Sequence, residues 1–510
     1  MKRVKKKNLL TVIFSRTTIL ILMLGLNIAF LYGIFRVLNN YVASGLYMLL
    51  SFVEVVYILN RGGSSVFKIS WIMSIILLPV FGGLFYLFVR LQNRSYQKKR
   101  AIDRNADAAC DDSVLLPADL PAEAAGEIGG LLAYLGGKCG FPAYSGTEVM
   151  FYPQGEAFLR ALIMALEQAE KSIYLEFFII SEGEIWDEIL GVLKAKAEAG
   201  VDVRLIFDGM NTISSLPFHY ERTLRGMGIK CCVFSKVIPL LVTRQNNRDH
   251  RKICVIDGRT AFTGGVNLAD EYADLIRRYG VWKDSGIRLK GPAVVSMRDM
   301  FLDMWNLLCP EDEKLRPEAI GGPPPREAGG CVIPYCDSPL DEEPVGENVY
   351  FDILNTAKSY VYFMTPYLVL TDQMIAALKF ASARGVDVRL VLPGIPDKRY
   401  AWWLAHTYYE ELIGAGVEIY EYTPGFVHAK ECISDGKKGV SGTINLDFRS
   451  LYLNYENAVV FYDVPAVREM EEDFRALLHD CRKIDPEALA QFSRVKLFIG
   501  KLIRLLAPLF

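Results

Sequence analysis

The hydrophobic positions of the chain are concentrated at its front. Thr17 to Phe35 is an uncharged run of 19 residues closed by Arg16 and Arg36. A second run, Tyr41 to Leu59, carries Glu54 as its single charge. A third, Ile69 to Val89, has 21 uncharged residues between Lys68 and Arg90, with a kinking Pro79. At about 1.5 Å per residue, each is long enough to cross a hydrocarbon core of roughly 30 Å. A cleaved signal peptide is the competing reading of the first run, because Lys2, Arg3, Lys5, Lys6 and Lys7 precede it. The run exceeds a usual signal-peptide core, no A-x-A site follows, and two further apolar runs come at once. Residues 1–100 are therefore expected to form a membrane region with two or three transmembrane helices. Basic clusters stand before the first run and after the third (Arg90, Arg94, Lys98, Lys99, Arg100). Both favour the cytoplasmic side, which three full crossings do not allow, so either the charge rule fails at one end or one run does not fully span, the middle run with Glu54 being the candidate.

Behind this region the pattern changes to strands and helices, and it repeats. Residues 101–127 are rich in Ala, Asp and Pro and read as a linker, and 311–330 (EDEKLRPEAIGGPPPREAGG) as a second one. AGVDVRLIFDG, Ala199 to Gly209, returns as RGVDVRLVLPG, Arg384 to Gly394. Ahead of each copy lies an apolar strand pattern, from Ser172 and from Ser359, followed by a helical pattern, Ile185 to Ala199 and Gln373 to Ala383. Strand, helix, strand at this spacing predicts an α/β fold with mainly parallel strands. Two pseudo-symmetric α/β lobes are expected, residues 128–310 and 331–490, with the active site at their seam. Residues 491–510 mix Arg494, Lys496, Lys501 and Arg504 with apolar residues, a basic amphipathic helix suited either to an anionic membrane surface or to packing against the catalytic body.

Charge and cysteine content narrow the function. Across 510 residues, 57 Lys+Arg stand against 59 Asp+Glu, a net charge of −2, which argues against a protein that coats nucleic acid. Aromatics at 12% exclude wholesale disorder. All ten cysteines lie beyond residue 109, and Cys254, Cys432 and the Cys231-Cys232 pair sit in apolar runs. These read as buried thiols of a reducing compartment, hence a cytoplasmic body. No phosphate-loop pattern, dinucleotide fingerprint or zinc spacing is present, so no cofactor and no metal is expected.

The second repeated element carries the chemistry. His250, Lys252 and Asp257 are followed by GGVN ending at Asn267, and His428, Lys430 and Asp435 by GTIN ending at Asn445. Both copies read H-x-K-x4-D-x6-G-[GT]-x-N. At average usage, Lys at +2 and Asp at +7 of a given His occur by chance roughly once in 300. Core histidines satisfied by neighbours would explain one copy and not two. On a strand, residues i and i+2 share a side, so His and Lys of each copy are expected to point together into the seam. Lys and Asn would bind phosphate oxygens, and the small residues before Asn would let backbone approach the phosphate. Asp257 and Asp435, too far along to line up, are expected to hold and polarise a histidine. Two imidazoles would then face one phosphorus, one as nucleophile and the other as general acid and base.

The duplicated motif resembles that of the phospholipase D superfamily. The flanking strings WIMSIILLPVFGGLFYLF, HRKICVIDGRTAFTGGVNLADEY, GVWKDSGIRLKGPAV and NLDFRSLYLNYE are similar, more narrowly, to those of bacterial cardiolipin synthases. That family shows two N-terminal spans, and the first apolar run here is an addition. The resemblance implies cardiolipin synthesis: reversible transfer of a phosphatidyl group from one phosphatidylglycerol to another, through a phosphatidyl-histidine intermediate, releasing glycerol. A lipid-hydrolysing phospholipase D, or a transferase using another alcohol, is the alternative. The resemblance favours His250 as nucleophile and His428 as acid and base. Phosphatidylglycerol and the bilayer are the implied partners, and the implied location is the bacterial plasma membrane, multi-pass. The strings Asp270-Glu271-Tyr272 and Trp282-Lys283-Asp284 are candidates for a headgroup pocket, Arg449 and Glu456 for headgroup or structural ion pairs. His219, His406 and His479 are expected to be structural.

Overall fold

The two copies of the repeated strand occupy matching places in two mixed sheets. The computed structural model describes residues 33, 41–62, 65–77, 82–83, 85–87, 89–90, 122–211, 215–236, 246–309, 330–340 and 343–505. The chain forms two compact units, one holding residues 1–108 and 237–246, the other holding nearly all the rest.

In the first unit, helices span Tyr41–Leu59 and Ser65–Leu77. Ile58, Ile75 and Tyr86 are buried against one another beside Trp71. The second apolar run thus coincides with a helix and the third begins in one, whereas the first lies outside the described residues apart from Gly33. Among the described residues, no helix is long and apolar enough to cross a membrane.

The other unit contains both halves of the repeat. In the first half the strands are β1 (Glu148–Tyr152), β2 (Ser172–Phe177), β3 (Asp202–Asp208), β4 (Lys230–Phe234), β5 (Arg248–Asp249), β6 (Lys252–Ile256), β7 (Thr260–Gly264), β8 (Val281–Lys283) and β9 (Gly286–Lys290). In the second they are β10 (Cys331–Asp337), β11 (Tyr360–Met364), β12 (Asp387–Pro393), β13 (Glu418–Tyr422), β14 (Gly425–Val427), β15 (Glu431–Ser434), β16 (Lys438–Gly442), β17 (Asn454–Tyr462) and β18 (Cys481–Ile484). The first sheet runs β1-β9-β7-β6-β2-β3-β4 and the second β10-β17-β16-β15-β11-β12-β13-β18. Strand for strand, the first seven of the second sheet repeat the order of the first.

The expectation of mainly parallel strands is corrected. Along the two large sheets, among the described residues, only β2, β3 and β4, and likewise β11, β12 and β13, run parallel. The other neighbours along those two sheets are antiparallel, and a tight turn after each motif strand sends the chain straight back in β6–β7 and β15–β16. A helical crossover gives a parallel pair and a two-residue turn an antiparallel one.

Both faces of the central strands are covered, which is why they read as unbroken apolar runs. Along β3, Val203, Leu205 and Phe207 enter one core with Trp186, Ile189 and Leu193, while Ile206 enters another. Along β6, Ile253 and Val255 face that second core, and Cys254 and Ile256 the first. The second core is shared by the halves: Met297, Phe301 and Trp305 of helix Val294–Leu308 meet Val459 and Phe461 of β17 and Met470 and Phe474 of helix Pro465–Leu477. This packing fixes one half on the other, a condition for a site built from both.

Some boundaries differ from the sequence reading. A helix spans Ala122–Leu132, starting inside the stretch expected to be a linker. Its Glu127 accepts hydrogen bonds from Lys437 and Tyr462 (both 2.8 Å) and Lys358 (3.0 Å). The expected inter-lobe linker lies outside the described residues apart from Gly330. Cys231 and Cys232 are buried as expected, but Cys232 is bonded to Cys309, whereas Cys254 and Cys432 are free thiols. With one bonded pair present, the cysteines lose their force as an argument for a reducing compartment. Near the C-terminus, Ser493 caps helix Arg494–Arg504, which packs on helix Arg399–Gly414, and Gly500 lets the two backbones meet at Trp403.

Candidate active site

Each motif begins on a short strand that leaves its own half. β5 pairs in parallel with Asn454–Tyr455 of β17, so the His250 N–H donates to the Tyr455 carbonyl (2.9 Å). β14 pairs in parallel with β8, so the His428 N–H donates to the Lys283 carbonyl (2.6 Å). This exchange carries both histidines to the seam, as the duplicated pattern predicts. Strand alternation holds around the first copy. Arg251, between His250 and Lys252, is buried and donates from Nε to Glu176 (2.8 Å), with Asp249 also beside it (3.5 Å). Ala429 takes its place in the second copy.

The carboxylates that hold the imidazoles are not those of the motif. His250 Nδ1 lies 2.8 Å from Glu456 Oε2, and His428 Nδ1 lies 2.6 Å from Asp284 Oδ2. Glu456 on β17 and Asp284 just after β8 occupy equivalent places, and each serves the histidine of the opposite half. A carboxylate on Nδ1 favours the tautomer with the proton there and leaves the lone pair on Nε2. Two small residues fit these carboxylates. A Cβ at Gly265 would collide with Asp284, and at the equivalent place the Thr443 hydroxyl donates to Glu456. The glycine expected to admit a phosphate instead makes room for a carboxylate.

Burial sets the protonation states. Burial and then the Lys252 and Lys430 charges hold His250 well below the usual imidazole range. Burial and Lys430 bring His428 down to about 4, against an upward pull from Asp284. Lys252 falls to about 8 and Lys430 to about 7, in both cases mainly by desolvation. Burial pushes Glu456 up to about 7. Asp284 feels the same burial, but the His428 and Lys430 charges outweigh it and its carboxyl ends below the usual range. Lys252 Nζ donates to the His250 carbonyl (2.8 Å) and Lys430 Nζ to that of His428. Two imidazoles, two lysines and two carboxyl groups thus share one buried seam.

Asp257 and Asp435 do something else, and the expectation that they hold the histidines is corrected. Asp257 accepts from the backbone N–H groups of Glu170, Lys171 and Ser172 (2.7–2.9 Å). Asp435 accepts from those of Lys358, Ser359 and Tyr360 (2.8–3.0 Å). Each Asp and the Gly after it have positive φ, 52° and 63° in the first copy, 54° and 65° in the second. Two consecutive left-handed residues make a hairpin turn of the primed type, which Asp-Gly favours. The motif aspartates therefore close the hairpins that carry the motif strands and clamp the loops entering β2 and β11. Asp257→Ala is expected to cost about 1–3 kcal/mol of stability. Thermal unfolding would show the loss, while kcat measured well below the transition stays within a few-fold of the parent. A thousandfold loss of kcat with an unchanged melting temperature would restore the catalytic assignment.

The other expected residues divide as follows. Asn267 Oδ1 accepts from the Ile179 N–H (3.0 Å) and its Nδ2 donates to the Tyr272 hydroxyl (2.7 Å), so it braces the wall of the site. Asn445 is buried with Oδ1 unpartnered. Tyr272, Trp282 and Phe426 ring His428 at 5.3–5.9 Å between centroids, and Phe178 packs on His250 at 4.9 Å. Asp270 accepts from the Ile185 N–H at the start of helix Glu184–Glu198. Lys283 is tied to Asp473. His406 is buried against Glu421 (2.9 Å), a structural pair. Among the described residues, no group of three or more His, Cys, Asp and Glu is arranged to hold a metal ion. The residues missed in their true role are Asp284 and Glu456. The available clue was an acidic residue downstream of the motif Asn in each half, on β17 in one and just after β8 in the other.

A family model described as "Cardiolipin synthase, PLD-like domain" matches residues 162–305 and 350–478, and one described as "Phospholipase D-nuclease N-terminal" matches 48–90. A Geobacillus kaustophilus protein named cardiolipin synthase is 32% identical over 514 residues, covering 97% of this chain and 99% of that one. An uncharacterized protein of Streptococcus mutans is 42% identical over 462 residues, 89% of this chain and 99% of its own. Among solved structures, the phosphatidylserine synthase of Haemophilus influenzae superposes with a TM-score of 0.54 at 15% identity, over 72% of this chain and 95% of that one, a likeness of fold.

Proposed function

The chain belongs to the cardiolipin synthase, PLD-like domain family, and from that premise we propose that it moves a phosphatidyl group from one phosphatidylglycerol to another. One observation carries the reading: two imidazoles at one seam, each with Nδ1 on a carboxylate from the opposite half. In the first displacement, Nε2 of one histidine attacks the phosphorus, the bond from phosphorus to the glycerol oxygen breaks, and the second histidine protonates the departing glycerol. In the second, that histidine takes the proton from a terminal hydroxyl of another phosphatidylglycerol. The hydroxyl oxygen then attacks phosphorus, the P–N bond breaks, and cardiolipin leaves. One phosphodiester replaces another, so no nucleotide is consumed. Lys252, Lys430 and Asn445 bind the phosphate oxygens in this scheme.

The two histidines are not equivalent, and the difference supports an order. The acid must carry a proton, which an ionised carboxylate stabilises. Asp284 remains ionised beside His428, whereas Glu456 beside His250 is pushed up by burial to about 7. His250 is therefore assigned as nucleophile and His428 as acid and base.

The bilayer setting belongs to the same proposal. Helix Tyr41–Leu59 leaves Met48, Phe52 and Leu59 more than half exposed. On helix Arg494–Arg504 and the residue after it, Val495, Phe498, Leu502 and Leu505 form an outward apolar stripe with Arg494 and Lys501 at its edge. Exposed apolar stripes with basic flanks suit an anionic lipid surface.

Product analysis tests the chemistry. Purified full-length protein with headgroup-labelled phosphatidylglycerol is expected to yield cardiolipin and labelled glycerol in equal amounts. Phosphatidic acid in place of cardiolipin would make the enzyme a hydrolase and reject the transfer reading.

A further inference from the structure

We propose a second anion site, for a phosphate group, at the end of the first sheet remote from the motif histidines. β6 runs from Lys252 at the seam to Ile256, about 13 Å away at 3.3 Å per residue. Beyond it, a cavity of about 250 Å³ lies between the hairpin turn and helix Gly155–Glu167. Arg259, Arg288, Lys290 and Thr260 line one side, Met164 and Gln168 the other.

The pseudo-symmetry says what belongs there. The turn Asp257-Gly258-Arg259 corresponds to Asp435-Gly436-Lys437. The pair Thr260 and Lys290, opposite each other in the sheet, corresponds to Lys438 and Tyr462. In the second half this place is filled from outside the repeat, because the Glu127 carboxylate accepts from Lys437, Tyr462 and Lys358. In the first half no acidic side chain among the described residues pairs with Arg259 or Lys290, and the cavity lies open beside them. Arg288 gives one Nη to Glu148 (3.1 Å), and its buried Nε has no hydrogen-bond partner. Asp257 also lines the cavity, but its oxygens are engaged by three backbone N–H groups. Three cations thus face two engaged carboxylates, and the repeat is one anion short of its other copy.

The geometry favours phosphate over a carboxylate. Two guanidinium groups and an ammonium line one cavity, Arg259 from the turn and Arg288 and Lys290 from β9, which matches an acceptor with oxygens in several directions. Met164, 60% exposed, borders the cavity, so a phosphate carried on a lipid finds an apolar rim. A phospholipid headgroup and a free phosphate share this chemistry. The inference does not rest on the transfer reaction, since no residue of the cavity lies among the motif His and Lys.

Hydrogen exchange on the full-length protein tests it. Inorganic phosphate is added in detergent, and separately the protein is placed in nanodiscs of phosphatidylcholine with or without phosphatidylglycerol. Slower exchange in peptides covering 256–260 and 286–290 is expected. Protection by phosphate in detergent identifies a free-anion site, and protection confined to phosphatidylglycerol nanodiscs a headgroup site. The surface double variant Arg259→Gln/Lys290→Gln is expected to need at least about tenfold more phosphate or anionic lipid for half protection, having lost two charge-assisted contacts. Its transfer activity should stay at the parent level. No protection with either probe, or protection undiminished in the double variant, overturns the site.

Discussion

Replacing His250 or His428 with alanine is expected to lower phosphatidyl transfer by at least about 10⁴-fold, because each supplies a step the other does not perform. The two losses should not add, since residues acting as one unit fail together. The variants should differ in what accumulates. His428→Ala keeps the nucleophile but lacks the acid and base, so labelled phosphatidylglycerol is expected to leave a slowly formed phosphatidyl group on His250. His250→Ala should leave no label on the protein. Acid-quenched gels after a single turnover read both outcomes, with melting temperatures to show that each variant is folded. Label retained in His250→Ala would reverse the assignment, and full activity in either variant would remove the two-histidine chemistry altogether.

Asp284→Asn and Glu456→Gln are expected to lower kcat by roughly 10²–10⁴-fold, the range for losing the carboxylate that fixes an imidazole tautomer. Neither side chain touches the phosphate in this scheme, so both are positioning residues, and pH is the readout that separates positioning from packing. Glu456 must be ionised to accept the Nδ1 proton of His250. Burial raises it to about 7, so it takes up a proton as the pH falls through that value, and kcat/KM should fall with it. An ordinary carboxylate would hold its charge to a much lower pH. In Glu456→Gln this acidic limb is expected to vanish, leaving a low rate that is flat on the acid side. On the alkaline side the cations are lost, Lys430 at about 7 and Lys252 at about 8, so the parent profile should be a narrow bell. A parent profile that stays flat down to pH 5 would sink the role given to Glu456.

The contrast between these carboxylates and the motif aspartates shows how far linear spacing reaches. His and Lys two apart on a strand share a face whatever the rest of the molecule does, because alternation is a property of the strand itself. That inference needed no partner. Asp257 stands beyond the end of β6, and its neighbours, the N–H groups of residues 170–172, lie more than 80 residues earlier in the chain. The dipeptide Asp-Gly in both copies did announce a tight hairpin, and with it the antiparallel reversal that the sequence reading took for mainly parallel order. The turn chemistry was present in the letters. Its consequence for the role of the aspartate was not, because that depends on which loop the turn meets.

The N-terminal region shows the opposite balance. The apolar runs are plain in the letters, and helices Tyr41–Leu59 and Ser65–Leu77 fall on the second and third of them, while the first lies outside the described residues. The linker reading was too long at its end, since Glu127 is held by three partners of the second half. Ala-rich composition describes the start of a packed helix as well as a flexible link.

By itself the sequence determined that the chain is duplicated, that each copy carries a histidine and a lysine two residues apart, and that a long apolar region precedes them. Periodicity and repetition are local, so they survive being read one residue at a time. Only the tertiary structure decided which carboxylate serves which histidine. β5 and β14 cross into the opposite half, and that exchange brings Glu456 to His250 and Asp284 to His428. Pairing between strands some 150 to 200 residues apart is set by packing and sheet register, which no short window of sequence contains.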